Sequence, residues 1–375
     1  MHESSDQTLF LLALAKMPGI GGVTARQLIG YCGGVKQVFE AGYRKLARIP
    51  GVGEHTVRTV LKRETLRIAE KEMTDCSRMG IAIVTYLDKD YPRRLLPLYD
   101  APLVLYLEGG ADLNTRRTVG IVGTRRITDY GRTVTDRIVR DLAPFSPLIV
   151  SGLAYGVDIV AHRAALKASL DTVGVMANGA DMVYPRAHFK TAAQMVGQGG
   201  VVTECGLGTR PDFQRFPARN RIIAGLSDVL IIVESAARGG GLITAEFAAN
   251  YHRDVYAVPG RLDQPMSEGC NRLIGQNKAA LFVSVSEMVA DLRWEGGTFS
   301  GQTLPLFEST GNRSVFEGFS VDESQLLALL KGGDFQIDEL QWQSGLSSGK
   351  IASILLNLEF KGVVKCLPGK KYGLA

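Results

Sequence analysis

The chain has 375 residues, 45% hydrophobic and 22% charged, enough to bury a full core and too evenly mixed for a collagenous, disordered or coiled-coil protein. Forty-three basic against 38 acidic side chains leave a net charge of +5, which favours an anionic partner without naming one. Cys32, Cys76, Cys205, Cys270 and Cys366 are scattered, with no CxxC pair and no CxxC…HxxxH spacing; neither a zinc site nor a disulfide framework is indicated, and a reducing cytosol fits.

The apolar run Leu9–Ala15 is too short to span a bilayer and follows Glu3 and Asp6 rather than basic residues, so neither a transmembrane helix nor a signal peptide is expected. Residues 1–78 hold an internal repeat. Met17-Pro-Gly-Ile-Gly-Gly-Val-Thr-Ala-Arg-Gln-Leu-Ile29 is echoed by Ile49-Pro-Gly-Val-Gly-Glu-His-Thr-Val-Arg-Thr-Val-Leu61. Each copy sets a Gly-x-Gly turn between two apolar helical segments, the pattern of a helix-hairpin-helix module. Arg26 and Arg58 stand at equivalent positions after the turns. Such turns serve either to hold a phosphate on exposed amides or simply to connect two packed helices.

From about residue 79 the pattern becomes β/α alternation. Apolar, β-rich runs fall at Thr118–Val122, Leu148–Val150, Thr172–Met176, Val201–Thr203, Val229–Val233, Val255–Val258 and Leu281–Val283, with helical sequence between several of them. This spacing predicts an α/β, Rossmann-like, mostly parallel sheet over 79–290, which Ile81–Tyr86 and Leu103–Leu107 extend. Residues 291–319, rich in glycine, are a predicted linker. Over 320–375, helices at Asp322–Leu330, Ile337–Gln343 and Ser348–Phe360 precede a hairpin over Gly362–Leu374 with Pro368-Gly369 at its tip, which predicts a winged helix. Six basic and six acidic side chains give this last domain no net charge, so a DNA role and a protein contact, the former using hairpin lysines such as Lys365, Lys370 and Lys371, both fit.

In a doubly wound sheet the loops at the carboxyl ends of the strands converge on one crevice. After the first strand comes Gly123-Thr-Arg-Arg-Ile-Thr-Asp-Tyr-Gly131, and after the second Ser151-Gly-Leu-Ala-Tyr-Gly156. Small residues let amides approach a phosphate, and Arg125 offers a planar fork to it. Four arginines against one acid lie between residues 209 and 221, interleaved with Phe213 and Phe216; cations beside stacking faces are what single-strand binding uses. Arg238-Gly-Gly-Gly-Leu-Ile-Thr-Ala-Glu246 follows the fifth strand and is a further candidate cradle. Asp158 and His162 are one helical turn apart but lack a third ligand or an activated nucleophile, so their role is structural. There is no Walker A sequence and no GxGxxG opening a strand–helix unit; no catalytic residue, metal or cofactor is expected.

The succession GIVGTRRITDYG (120–131), SGLAYGVDIVAH (151–162), ANGADMVYP (177–185), FPARNRIIAGLSD (216–228), GGGLITAEFA (239–248) and VYAVPG (255–260) resembles the DprA/Smf family, DNA-processing protein A, over roughly residues 81–290. The resemblance implies a cytoplasmic, homodimeric, non-enzymatic protein. Such a protein binds single-stranded DNA, protects incoming strands during natural transformation and helps load the RecA recombinase. Carried over by motif, Arg125 and the Arg219-Asn220-Arg221 cluster hold the strand's backbone, Phe216 beside them stacks on a base, and Arg186 and Lys190 add basic contacts. The loop reading adds Gly123, Thr124, Arg126, Ser151, Gly152, Arg215 and Gly240 as candidate DNA contacts. Two departures are visible. Phe213 stands where relatives carry a basic residue, which Arg215 replaces, and Thr203-Glu-Cys205 stands where relatives read SEY. The competing expectation is a Rossmann-like nucleotide hydrolase acting on a small phosphate ligand, with Glu204 or Glu246 as its acid or base; the Pro and the Gly-Thr pair of the PGGxGTxxE stretch of such enzymes are missing from 238–246.

Overall fold

The computed structural model describes residues 2–294, 320–330, 333, 335–360, 363–367 and 371–374. They belong to two compact units, Met1–Thr298 and Phe299–Ala375. Six helices open the first unit: α1 (His2–Ala15), α2 (Gly22–Cys32), α3 (Val35–Glu40), α4 (Tyr43–Leu46), α5 (Glu54–Lys62) and α6 (Glu64–Met79). Gly19 and Gly51 take φ of +77° and +74°, a left-handed backbone that strains any residue with a Cβ. These two turns launch α2 and α5, as the repeat predicts.

The sheet of this unit and its helices follow in order: β1 (Ala82–Thr85), β2 (Val104–Gly109), β3 (Thr118–Val122), α7 (Asp129–Leu142), β4 (Leu148–Ser151), α8 (Val157–Lys167), β5 (Thr172–Val175), α9 (Phe189–Gly197), β6 (Gly199–Thr203), α10 (Arg215–Leu226), β7 (Val229–Ile232), α11 (Gly240–Asn250), β8 (Asp254–Ala257), α12 (Glu268–Gly275), β9 (Ala280–Leu281) and α13 (Val285–Asp291). The strands lie in the order β1-β2-β6-β5-β4-β3-β7-β8-β9. Neighbours from β6 to β9 are parallel, whereas β2 pairs antiparallel with both β1 and β6.

Every residue of β3, β4, β5 and β7 is buried, which explains their unbroken apolar runs: helices cover both faces. The period of two divides each strand between two cores. Val119, Ile121, Val229 and Ile231 pack with α7, α8 and α13, whereas Val122, Leu230 and Ile232 pack with α10, α11 and α12. A third core joins Leu11, Leu28 and Ala69 of the opening helices to Val104, Tyr106, Met195 and Val201. The order reverses at β3, with β4 on one side and β7 on the other. Loops leaving β3 and β7 therefore part company and open a crevice at the carboxyl edge.

The second unit holds α14 (Val321–Leu330), β10 (Phe335–Gln336), α15 (Ile337–Ser344), α16 (Ser348–Phe360), β11 (Val364–Leu367) and β12 (Lys371–Leu374), with the strands in the order β10-β12-β11. Leu326, Leu330, Leu340, Ile351 and Leu358 form its core. This is the winged helix that the sequence predicts, with β10 as an added short strand. The predicted linker from residue 295 onward, the hairpin tip Pro368-Gly369 and Lys370 lie outside the described residues. Among the described residues no helix is long and apolar enough to cross a membrane.

Candidate nucleic-acid interface

The crevice at the switch point has a volume of about 470 Å³ and is walled by the loops after β3 and β7, the start of α11 and one face of α10. Its first wall is fixed by two interlocks. The Thr124 amide donates to the Glu234 carbonyl at 2.7 Å, and the Thr124 carbonyl accepts the Val157 amide at 3.2 Å. Gly156, with φ of +81°, passes so close that a Cβ there would meet the Thr124 carbonyl oxygen, so the two loops interlock only around glycine. The Glu234 carboxylate, 2% exposed, then accepts both the amide and the hydroxyl of Thr128, and the Thr128 side chain caps α7. Held this way, the loop presents Arg125 and Arg126 to solvent. Neither guanidinium has a hydrogen-bond or ion-pair partner among the described residues. The Arg125 guanidinium lies 4.9 Å from the Phe216 ring centre, and Tyr184 packs against that ring at 5.9 Å.

The second loop does a different job from the one its sequence suggests. Ser151 and Gly152 are buried; the Ser151 hydroxyl donates to the Ile121 carbonyl at 2.6 Å. A Cβ on Gly152 would sit 2.5 to 2.6 Å from the Arg219 guanidinium and from Asp158 Oδ2. The glycine thus leaves room for an internal arginine. Arg219 is 5% exposed, donates to the Gly152 and Val175 carbonyls, and has its pKa lowered to about 10 by burial. Burial raises the pKa of Asp158, and the Arg219 charge works against that rise. Arg219 is therefore the floor of the crevice.

Arg221 lies about 200° from Arg219 around α10. It pairs with Glu204 and donates to the Asp100 carbonyl at 2.7 Å, away from the crevice. Asn220, between them, lines the crevice and accepts the Arg219 Nε proton at 3.2 Å. The expected Arg-Asn-Arg set is thus split: one arginine underneath, one behind, and the asparagine in front. Arg215 opens α10, exposed, and donates to the Arg210 carbonyl at 2.9 Å. Arg186 and Lys190 are exposed beyond Tyr184 with no hydrogen-bond or ion-pair partner among the described residues. Gly240 is the exposed first residue of α11 and lines the crevice opposite Arg125.

Neither acid of the hydrolase alternative lines this crevice. Glu204 is tied to Arg221, and Glu246 is exposed on α11. Among the described residues no group of three or more His, Cys, Asp or Glu is placed to hold a metal ion.

Sequence reasoning did not single out Glu234, although an acid directly after the wholly apolar Val229–Val233 is the signal for it. It also missed Glu72 on α6, 6% exposed. Its carboxylate accepts the Leu207 amide at 2.7 Å and pairs with Lys16, while Asp181 holds the Gly208 amide at 2.9 Å. These anchors fix the base of the segment that carries Phe213 and Arg215. Substituting Glu72→Leu is expected to destabilise the fold by about 1–3 kcal/mol, since Lys16 and the Leu207 amide lose their partner. Pairing it with Lys16→Met is expected to recover part of that loss in a thermal-unfolding double-mutant cycle; additive losses would show that the two side chains are uncoupled.

The opening repeat is also divided by the structure. Arg26 donates to the Tyr99 and Ala101 carbonyls at 2.9 and 2.6 Å, docking α2 on the sheet unit, so it does not share a surface with Arg58. The latter is exposed and paired with Glu54 at 2.6 Å.

His162 keeps the structural role expected of it. It is wholly buried, its Nδ1 is 2.7 Å from the Thr172 hydroxyl, its Nε2 has no hydrogen-bond partner among the described residues, and burial lowers its pKa to about 3. A group whose folded pKa is depressed supports the fold fully above its unfolded value, 6.5, and loses that support as pH falls below it. Between pH 6.5 and 5 the unfolding free energy is expected to drop by about 1.6 kcal/mol more in the parent than in His162→Gln, the slope rising from half of about 1.36 kcal/mol per pH unit towards its full value. Parallel pH profiles from urea titrations would mean that the imidazole is free to charge in the folded state.

A Rossmann-like core with a crevice at its switch point, preceded by hairpin helices and followed by a winged helix, defines an α/β protein of the nucleic-acid-processing kind. The chain belongs to the DprA/Smf family: residues 82–293 match the family described as DNA recombination-mediator protein A, and residues 319–370 match the DprA winged helix domain. It is 28% identical to Protein Smf of Synechocystis sp. over 395 residues, covering 98% of this chain and 99% of that one. Its fold matches the X-ray structure of DNA processing protein A from Streptococcus pneumoniae with a TM-score of 0.67 and 32% identity, covering 76% of this chain and 98% of the other. A structure of DNA processing protein A from Helicobacter pylori matches with a TM-score of 0.52 and 30% identity, covering 57% and 95%; that work concerns the single-stranded DNA binding mode of the Helicobacter protein.

Proposed function

We propose that this protein holds single-stranded DNA in the crevice at the carboxyl edge of its sheet and does not turn it over, acting in the cytoplasm in DNA uptake and natural transformation. The supporting observation is the company Arg125 keeps. Arg125 lies over the half-buried Phe216, which Tyr184 flanks. Arg126 and Phe213, the latter 78% exposed, line the same crevice, and Arg186 and Lys190 follow Tyr184 in the chain, exposed. None of the four cations has a hydrogen-bond or ion-pair partner among the described residues. Such a surface neutralises phosphates and offers faces on which unpaired bases stack, whatever their sequence. A small phosphate ligand gives no use for cations spread from Arg126 to Lys190.

Family membership and the likeness to the Helicobacter protein support the same ligand. From the family resemblance come the further parts of the proposal: a homodimer, protection of the incoming strand, and hand-over to the RecA recombinase. An anisotropy titration with matched single and double strands, with and without excess mononucleotide, tests the ligand. Tight binding of the single strand, unmoved by mononucleotide, is the expected result. Displacement by a mononucleotide that is then hydrolysed would establish the nucleotide hydrolase instead.

A further inference from the structure

The opening helices carry a second cationic surface that the crevice does not use. Residues 31–63 contain seven basic side chains against two acidic ones, an excess equal to the net charge of the whole chain. Both acids are already engaged: Glu40 lies 3.8 Å from Lys36 and Glu54 lies 2.6 Å from Arg58. The uncompensated charge therefore concentrates around α4. There Tyr31, near the end of α2, and Arg44, Lys45, Arg48 and Ile49 line an open groove of about 620 Å³. Arg44 and Arg48 are exposed and their guanidinium groups have no hydrogen-bond or ion-pair partner among the described residues. Lys45 gives one hydrogen bond, to the Cys32 carbonyl at 3.2 Å. Tyr31 is 57% exposed.

Gathering Arg44, Lys45 and Arg48 within five residues, on α4 and just past its end, with no acid among them is unfavourable in isolation, and a polyanion relieves it. An aromatic ring left in solvent beside them adds a face for stacking. A duplex backbone offers phosphates but no unstacked base, so cations with an open ring fit an unpaired strand better than a paired one.

We propose that the groove between α2 and α4 is a second contact for single-stranded DNA, gripping by Arg44, Lys45 and Arg48 with Tyr31 as a stacking platform. It takes a longer strand whose other part lies in the crevice. This rests on the crevice being the principal single-strand site.

The full-length chain is titrated by fluorescence anisotropy with oligothymidylates of about 6 and about 30 nucleotides, the short one too small to need a second contact. For the double variant Arg44→Ala with Arg48→Ala, affinity for the short strand is expected to match the parent. Affinity for the long strand is expected to fall about tenfold, with the salt slope reduced by about 1.4, or about 0.7 for each phosphate no longer neutralised. Tyr31→Ala is expected to weaken the long strand by about fivefold or more, and Tyr31→Phe to restore it. These side chains are exposed, and unchanged thermal unfolding confirms that the variants fold.

Equal losses on both lengths, or none on either, would overturn the second contact. So would a 30-base-pair duplex that matches the single strand in affinity and shows the same sensitivity to both variants, or polyglutamate competing at this surface as well as DNA does at equal charge. Arg125→Ala, run in parallel, separates the two proposals. If it leaves both lengths bound as tightly as the parent, the crevice reading fails. If it weakens both while the α4 variants weaken neither, the second contact alone fails.

Discussion

Replacing Arg219 by alanine is expected to cost about 3–5 kcal/mol of folding stability, a large share of the 5–15 kcal/mol typical of a domain. The guanidinium is buried beneath the crevice and donates to the carbonyls of Gly152 and Val175, at the ends of β4 and β5. Its removal takes the donor from those two carbonyls and strips Asp158 of the positive charge that opposes its burial, and an unpaired buried charge is among the costliest single defects. Chemical denaturation checks this. Arg221→Ala serves as the comparison: that ion pair is only partly enclosed, so it is expected to cost clearly less. An Arg219→Ala protein that unfolds at the parent's midpoint would show that the arginine is not part of the scaffold.

Arg125→Ala is the complementary case, large in binding and small in stability. Its side chain is exposed and touches the fold through the Phe216 ring, so the variant is expected to unfold like the parent. Binding to oligothymidylate is expected to weaken about tenfold regardless of sequence, with the salt slope falling by about 0.7 because one phosphate keeps its counterion. Arg125→Lys is expected to keep the slope and recover only part of the affinity, since an ammonium lacks the planar fork that stacks on a ring and spans two phosphate oxygens. A variant that titrates on the parent's curve at every salt concentration would place the strand somewhere other than this loop.

The strands were legible because burial on both faces leaves a plain mark: Val229–Val233 is an unbroken apolar run and becomes β7. What was not legible was direction. Leu103–Leu107 reads like any other strand, and its antiparallel pairing with β6 depends on a neighbour far along the chain, Tyr106 facing Thr203 and Gly109 facing Gly200. The site was legible as a neighbourhood and illegible in its assignments. Arg219 and Arg221 look like one cluster in the sequence, yet two residues apart on a helix they face opposite ways. Arg26 and Arg58 share a repeat position, but Ala101 lies against the first turn and not the second, and nothing in the repeat itself records that contact. Gly152 drew attention as a small residue at a strand end, where the usual inference is access for a ligand; here the space it leaves is filled from within.

The core shared by the opening helices and the sheet bears on any attempt to dissect the molecule. Leu11, Leu28 and Ala69 rest on the same apolar surface as Val104, Tyr106, Met195 and Val201. A fragment begun at residue 79 would bare that strip to water and would also lose the Glu72 carboxylate that moors the Leu207 backbone. Such a fragment would be prone to self-association through its raw side. Loss of DNA binding in it would then report a collapsed arm and a sticky surface, and would say little about whether the hairpin helices touch DNA. Point substitutions in the intact chain avoid that confusion.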